Sequence, residues 1–570
     1  MVMRSIFLTA IHVSLFVPVM AGAASAVLLP SHVTQAVSKV DGMSAATILA
    51  PELRQIAVAQ GDMLVESPQP PFAQYYGYSS DDTMLPALGT ANEATKTEPD
   101  KNTYLVLSKQ RGPDANYDYG THFLYQGHEG GVRGADGMKR GYITRINLDA
   151  DVLHRVTVLA TDDVAGNSLP AFDGSTWYPF SQHLLFTAEA GKNGGVYQVT
   201  PDYPARAEPL FGVFGRAGFE GVQADDVGNL WLVEDAKYDK GTESKYAFQP
   251  SNFVYRLVPK DKKDLIKGGI LQALQVMNSA GAAIELHAGQ ADADILSSDN
   301  KELYSYGKLL KAQWVTLHDT ATDGTASFDA NALAREKHAT PFKRTENGLF
   351  RPGSGFKEFF FTVTGDTDLR TEAVDQGGFG ALLKLTQASA QANEGVLHVL
   401  FRGDVDHSGF DNLAFWSEHH LVVAEDAGDQ LHTQRGRFDS LYLFDVREDY
   451  SLPGNSPIRI LALGRDTAAT LDAKFLELSD AVKKAKKDKK DAGDVSKDAK
   501  SSVDPSLPRD VDKFQNDGDN EITGIHIFDG NPTVKGQIGV VAPRPFQNGW
   551  RVFYTQQHGA NTTYEILKRE

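Results

Sequence analysis

Arg216 to Ala236 reads RAGFEGVQADDVGNLWLVEDA, and Gly409 to Ala427 reads GFDNLAFWSEHHLVVAEDA. Each has Phe, an acid, Gly or Asn, a short turn, and an apolar run closing on Glu-Asp. Phe219 to Glu234 and Phe410 to Glu425 are both fifteen positions apart. Weaker copies occur at Ala171 to Ala190 (AFDGSTWYPFSQHLLFTAEA), at Arg344 to Asp366, and at Asn520 to Gly530 (NEITGIHIFDG). A unit of short strands repeated along one chain means blades set radially, so the fold class expected is all-β, a β-propeller. In such a fold the inner strands face one channel. Asp173, Glu220, Glu346, Asp411 and Glu521 would then ring its mouth. The Gly or Asn after the acids leaves room for close backbone approach or positive φ.

Carboxylates gathered this way repel one another or take up protons, and a multivalent cation is the simplest remedy. The repeat therefore predicts a metal site with oxygen ligands. The chain has no cysteine, so thiolate ligands and thiol nucleophiles are excluded. Oxygen and imidazole donors suit hard ions, calcium first and carboxylate-held iron second.

The rest of the chain fits the β reading. From Asn102 onward, runs such as TYLVLSKQ, THFLYQG, GYITRINLD and GGVYQVTP are rich in β-branched and aromatic residues. Gly, Asp, Asn and Pro break them. The organisation expected is a signal peptide over 1–26, an N-terminal extension over 27–101 and one propeller domain over 102–570. Within the extension, Ala46 to Met63 reads as one amphipathic helix. Two insertions interrupt the propeller: a polar, helical one at about 261–331, with Asp261 to Asn278 as helix, and a Lys/Asp-rich one at about 476–520. Trp177, Trp231 and Trp416 lie in β runs and are expected to pack between blades.

The formal net charge of −18 over 570 residues argues against nucleic acid and anionic membrane surfaces. No apolar run reaches spanning length. Arg4, the apolar Ser5 to Met20 and Ala24-Ser25-Ala26 together read as a secretory signal cleaved after Ala26, with release to the periplasm or medium. A monomer is expected.

The ordered pieces GHEGG (127–131), YPFSQHLLFTAEA, FGRAGFEG, FKRTENG, FDNLAFWSEHHLVVAED, EITGIHIFDG and FYTQQHGAN resemble the PhoX-type alkaline phosphatases, from about Phe123 to Gly559. The resemblance implies six blades, an iron and calcium cluster at the channel mouth, and hydrolysis of small phosphomonoesters. Carried over position by position, it implies Glu189, Glu220 and Glu346 as metal ligands, with Glu425 and Glu521 next, then Asp173 and Asp411. Arg344 would grip the phosphate. A guanidinium fork suits that task because it matches phosphate geometry and stays charged. The chain departs from the family in lacking its iron-binding cysteine, near which Asp173 stands. It also lacks a twin-arginine signal and has Phe219 and Thr345 where the family has His and Pro. Two other functions remain open: a calcium-stabilised propeller that binds without catalysis, and a propeller lactonase or esterase. His128 and His558 read as hydrogen-bonded structural residues before ligands.

Overall fold

The computed structural model describes residues 26–39, 46–70, 72–79, 95–134, 137–236, 249–285, 287, 289–366, 371–464, 521–557 and 561–570. The signal-peptide core and the Lys/Asp-rich insert lie outside them, as does His558.

The sheets are built of antiparallel neighbours running outward from a central strand, apart from one parallel pairing of Glu66 with Thr157 at the outer edge of the first set. The first set begins at Pro99–Val106 and continues through His122–His128, Ile143–Asn147 and Val156–Ala160. Its side chains alternate Tyr, Leu and Ile with Thr and Asn, and both faces are buried between neighbouring sheets, which is why the strands stay apolar on both sides. The inner strands of the other sets are Ser175–Tyr178, Phe219–Ala224, Thr345–Phe350, Phe410–Phe415 and Glu521–Phe528. Each touches the next, and Glu521–Phe528 returns to Pro99–Val106, so the contacts close into a ring. This is the propeller-like, all-β arrangement that the repeat predicts. Two sets are fused at their outer edges, where Leu310–Asp319 pairs with both Gly269–Val276 and Glu394–Arg402.

The ring is locked by the two ends of the described chain. Leu53–Ala59 pairs with Thr562–Lys568 and becomes the outer strand of the last set. Ile48–Leu49 pairs with Ile458–Ala462. The segment ahead of them is tied down as well: Trp416 Nε1 donates to the Leu28 carbonyl at 2.6 Å, and Val33 N donates to the Arg459 carbonyl at 2.7 Å.

Three sequence expectations need correction. Residues 46–63 are not a helix, because Leu53–Ala59 is recruited as an edge strand by its C-terminal partner. Asp261 to Asn278 is not a helix either. It holds a single 3₁₀ turn, Leu265–Lys267, and then the strand Gly269–Val276, whose residues Leu271 and Ala273 are buried and alternate with partly exposed neighbours. That period of two is a strand signal, masked in the sequence by Leu, Gln and Ala, which favour helix in isolation. Finally, the stretch 27–101 is not separate from the sheets, since it supplies both an outer strand and the start of the first inner one.

The core lies between the sets. Trp231 packs edge-on to Trp314 and Phe350, with ring centroids 4.9 Å apart in each case. Phe350 belongs to the next inner strand, so this tryptophan does pack between sheets. Truncating a buried ring of this kind costs about 3–5 kcal/mol.

Candidate metal and phosphate site

Five of the inner strands carry a β-bulge at the same place. The pairing jumps between Pro99 and Asn102, Phe219 and Val222, Thr345 and Gly348, Phe410 and Leu413, and Thr523 and His526. A bulge inserts one residue, bends the strand and re-aims the side chains in it. The first residue of each bulge is Asp100, Glu220, Glu346, Asp411 or Gly524. Four equivalent carboxylates are thereby turned toward the channel although they lie hundreds of positions apart. Asp173 comes from the remaining inner segment, two residues ahead of Ser175–Tyr178, with its backbone N–H bonded to the Thr187 carbonyl at 3.0 Å.

A second tier comes from the residue just past the end of each partner strand. Those strands end at His128, Ala188, Glu234, Val363 and Glu425, so the next residues are Glu129, Glu189, Asp235, Thr364 and Asp426. This resolves the Glu-Asp doublets. Glu234 opposes Phe219 and Glu425 opposes Phe410 in register, and both glutamates turn into the protein. Glu234 accepts from Tyr255 Oη at 2.7 Å, Phe253 N at 3.2 Å and Asn331 Nδ2 at 2.8 Å. Glu425 accepts from Ser408 N at 3.0 Å and pairs with the buried Arg435 at 2.8 Å. The aspartate of each doublet is the member at the mouth. Glu425, expected as a ligand, commits Oε1 to Ser408 and Arg435, while its Oε2 is buried without a hydrogen-bond partner among the described residues.

The tiers meet in two groups of three carboxylates, Asp100–Glu129–Asp173 and Glu220–Asp235–Glu346, each with oxygens within 4.8 Å of one another. Asp411 joins the second through Asn347, whose Nδ2 donates to Glu220 Oε1 at 3.1 Å and to Asp411 Oδ1 at 3.4 Å. Asp100 is further held by Thr523 Oγ1 and by Gln557 Nε2, which lies 3.2 Å from it and 3.4 Å from Glu129. Glu189 lines the cleft above. Glu521 lies three residues before Gly524, the first residue of its bulge, and interacts electrostatically with Asp426, Glu129, Asp411 and Asp100.

Arg344 precedes its inner strand with φ of +60°, a left-handed conformation that costs energy for any residue but glycine. That backbone aims the guanidinium across the mouth. Nε and Nη2 reach Asp235 Oδ2 at 3.1 and 3.0 Å, and Nη2 lies 3.4 Å from Glu346 Oε1. The side chain is 31% exposed and borders a cavity of about 610 Å³, lined also by Glu129, Lys139, Glu189, Asp235, Asn252 and Lys343. Small-molecule sites fall in this size range.

Crowding raises the carboxyl pKa values. Burial, followed by neighbouring acids, lifts Asp100, Asp173, Glu189, Glu220 and Glu521 well above the ordinary range. Burial and then Asp235 push Glu346 up to about 8 against the pull of Arg344, and burial pushes Asp411 to about 6. Arg344 is held well above its usual value: burial opposes its charge, and Asp235 and Glu346 more than offset that.

Residues 166–446 match the family described as alkaline phosphatase PhoX. That segment, just under half of the chain, is similar to the PhoX-type phosphatases. The matched segment contains Asp173, Glu189, Glu220, Asp235, Arg344, Glu346 and Asp411, while Asp100 and Glu129 lie ahead of it. Among solved structures, Pseudomonas fluorescens PhoX in complex with vanadate is similar at 10% identity and a TM-score of 0.49, covering 94% of this chain and 98% of that one. The Xanthomonas citri GH43_1 enzyme complexed with xylotriose is similar at 12% identity and a TM-score of 0.28, covering 63% of this chain and 89% of that one. The comparison with curated proteins gave no match. No described helix is long and apolar enough to cross a membrane.

Sequence reading did not single out Asp100, Glu129, Asp235 or Lys101 of this site. Asp235 was within reach, since it recurs as Asp426 in the second doublet. Lys101 was not, because a lone lysine at the edge of a strand carries no signal. His128 behaves as expected for a structural residue. It is buried, its ring nitrogens lie 3.1 Å from Thr97 Oγ1 and 2.9 Å from Thr144 Oγ1, and burial lowers its pKa to about 3.

Proposed function

We propose that the protein is an exported, metal-dependent phosphomonoesterase, with cations held by Asp100, Glu129 and Asp173 and by Glu220, Asp235 and Glu346, and with Arg344 gripping the phosphate. Glu189, Asp411 and Glu521 surround these groups and add negative charge that offsets the cations. The observation that carries the reading is a pair of orphaned oxygens. Asp173 Oδ1 and Asp235 Oδ1 are buried without a hydrogen-bond partner among the described residues, and there is one in each carboxylate group. Buried polar atoms are rarely left so, and a carboxylate oxygen facing two other carboxylates is suited to a cation. The donors are all oxygen, which fits Ca²⁺; Fe³⁺ also accepts such donors.

Bound cations in such a site neutralise phosphoryl oxygens and lower the pKa of water. The chain's own residues do the rest. Arg344 keeps Nη1 without a partner among the described residues, so it can donate to a phosphoryl oxygen while Asp235 fixes its plane. That position suits the charge that spreads over the equatorial oxygens during transfer. Asn252 accepts from Arg344 N at 3.1 Å and pins the strained backbone. The apolar run ahead of Ala24-Ser25-Ala26 supports export.

The test is release of phosphate from p-nitrophenyl phosphate by the purified full chain, before and after chelation, then with Ca²⁺ or Fe³⁺ restored. Activity that disappears with chelator and returns with an ion supports the proposal. Metal-loaded protein that releases no phosphate overturns it, and an ester and lactone panel in the same assay would then identify the alternative hydrolase.

A further inference from the structure

The second residue of each bulge is Lys101, Gly221, Asn347, Asn412 or Ile525, in positions equivalent by strand register. Where that residue is asparagine it ties neighbouring inner strands together with neutral hydrogen bonds. Asn347 reaches Glu220 and Asp411, and Asn412 Nδ2 donates to Asp411 Oδ1 at 2.7 Å while its Oδ1 accepts from Gly524 N at 2.9 Å. In the first inner strand the same position is a lysine.

The Lys101 ammonium is buried and donates to Asn347 Oδ1. No carboxylate among the described residues is bonded to it directly. Burial lowers its pKa, and the charges of Glu220, Asp411, Asp100 and Asp173 act together against that and favour the ammonium. Its sequence neighbour Asp100 belongs to one carboxylate group, and Asn347 links it to Glu220 of the other. A charge taken out of water is tolerated only where opposite charge surrounds it. Placed so, an ammonium does what a structural ion would do: it offsets several anions from one fixed point.

We infer that Lys101 is a built-in cation of the channel, standing where a further metal ion would otherwise be bound between the two carboxylate groups. It acts as a positioning residue. Through Asn347 it holds Glu220 and Asp411 toward the mouth, and its charge excludes an additional ion from the space between the groups. This deepens the proposed function and rests on its metal reading.

The experiment compares wild type with K101M and K101Q. Each full-length protein is equilibrated with CaCl₂ and freed of unbound ion, its calcium is counted by elemental analysis, and its melting temperature is read with and without EGTA. The expected result is one more Ca²⁺ per chain in the neutral variants than in wild type, and a larger EGTA-induced fall in melting temperature. A variant that folds only when Ca²⁺ is present gives the same answer, since the ion has replaced the ammonium. An unchanged ion count with an unchanged EGTA shift overturns the inference, as does a variant that folds in neither condition. Wild type that binds no ion at all overturns the metal reading instead, so the two failures are distinguishable.

Discussion

Arg344 holds Asp235 Oδ2 with two nitrogens, Nε at 3.1 Å and Nη2 at 3.0 Å, across the 109 positions that separate them in sequence. The fork is what fixes the plane of the guanidinium, and lysine has no fork. R344K should therefore keep the charge at the mouth and lose the orientation. The expected outcome is a fall of about 10²-fold or more in kcat/KM for p-nitrophenyl phosphate, with the bound-metal count retained. A variant with wild-type kinetics would remove Arg344 from the phosphate site.

The two members of each Glu-Asp doublet should separate cleanly by experiment. D235N takes an orphaned oxygen from a carboxylate group and should lower the calcium content and the activity together. E425Q takes one of the two carboxylates from buried Arg435 and leaves Asp439, 3.2 Å from it; it should cost about 1–3 kcal/mol of stability, read by chemical unfolding, while calcium content stays at the wild-type value. The reverse pattern would mean that the glutamate is the ligand.

Gly174 stands where two inner strands approach each other closely. A Cβ placed there would lie 1.9 Å from the Glu220 carbonyl oxygen and 2.6 Å from Thr187 Oγ1. Backbone cannot yield as a flexible side chain does, so G174A should displace the Glu220 strand. The expected outcome is lost calcium binding or insoluble protein; a variant with full activity and an unchanged melting temperature would refute the close packing.

His526 makes stability depend on pH. It is buried, its Nε2 accepts from Tyr104 N at 3.1 Å, and burial followed by the charge of Lys101 lowers its pKa to about 3. Unfolded, it titrates near 6.5. The lowered value means that the unfolded chain binds the proton first. Stability is complete above about pH 6.5 and falls as pH drops toward 3, by about 1.4 kcal/mol per pH unit for this one group. H526Q keeps an acceptor and cannot take up the proton, so unfolding free energies measured from pH 7 to 5 should show a slope shallower by that amount. Equal slopes in the two proteins would exclude His526 as a source.

The repeated fifteen-position unit already contains the propeller. It records a hairpin, and a hairpin written several times has few ways to bury both of its faces other than against copies of itself. Glu220, Glu346, Asp411 and Asp173 were legible for the same reason, since equivalent positions in a ring must converge. Leu53–Ala59 was illegible because an edge strand takes its conformation from its partner, here Thr562–Lys568, some 500 positions away.

What the sequence alone determined was the set of acids, the absence of thiols, the β periodicity and the resemblance to PhoX. What only the tertiary structure decided was which acid of each pair faces the channel. Register places Glu234 and Glu425 opposite a phenylalanine and turns them inward, while Asp235 and Asp426, one residue beyond the strand end, escape the ladder and turn to the mouth. The single inserted residue of each bulge decided the other tier, and brought Lys101 in beside Asp100. Side-chain direction in a strand reverses with every residue, so a one-residue shift that hardly alters a sequence pattern decides which charge meets which.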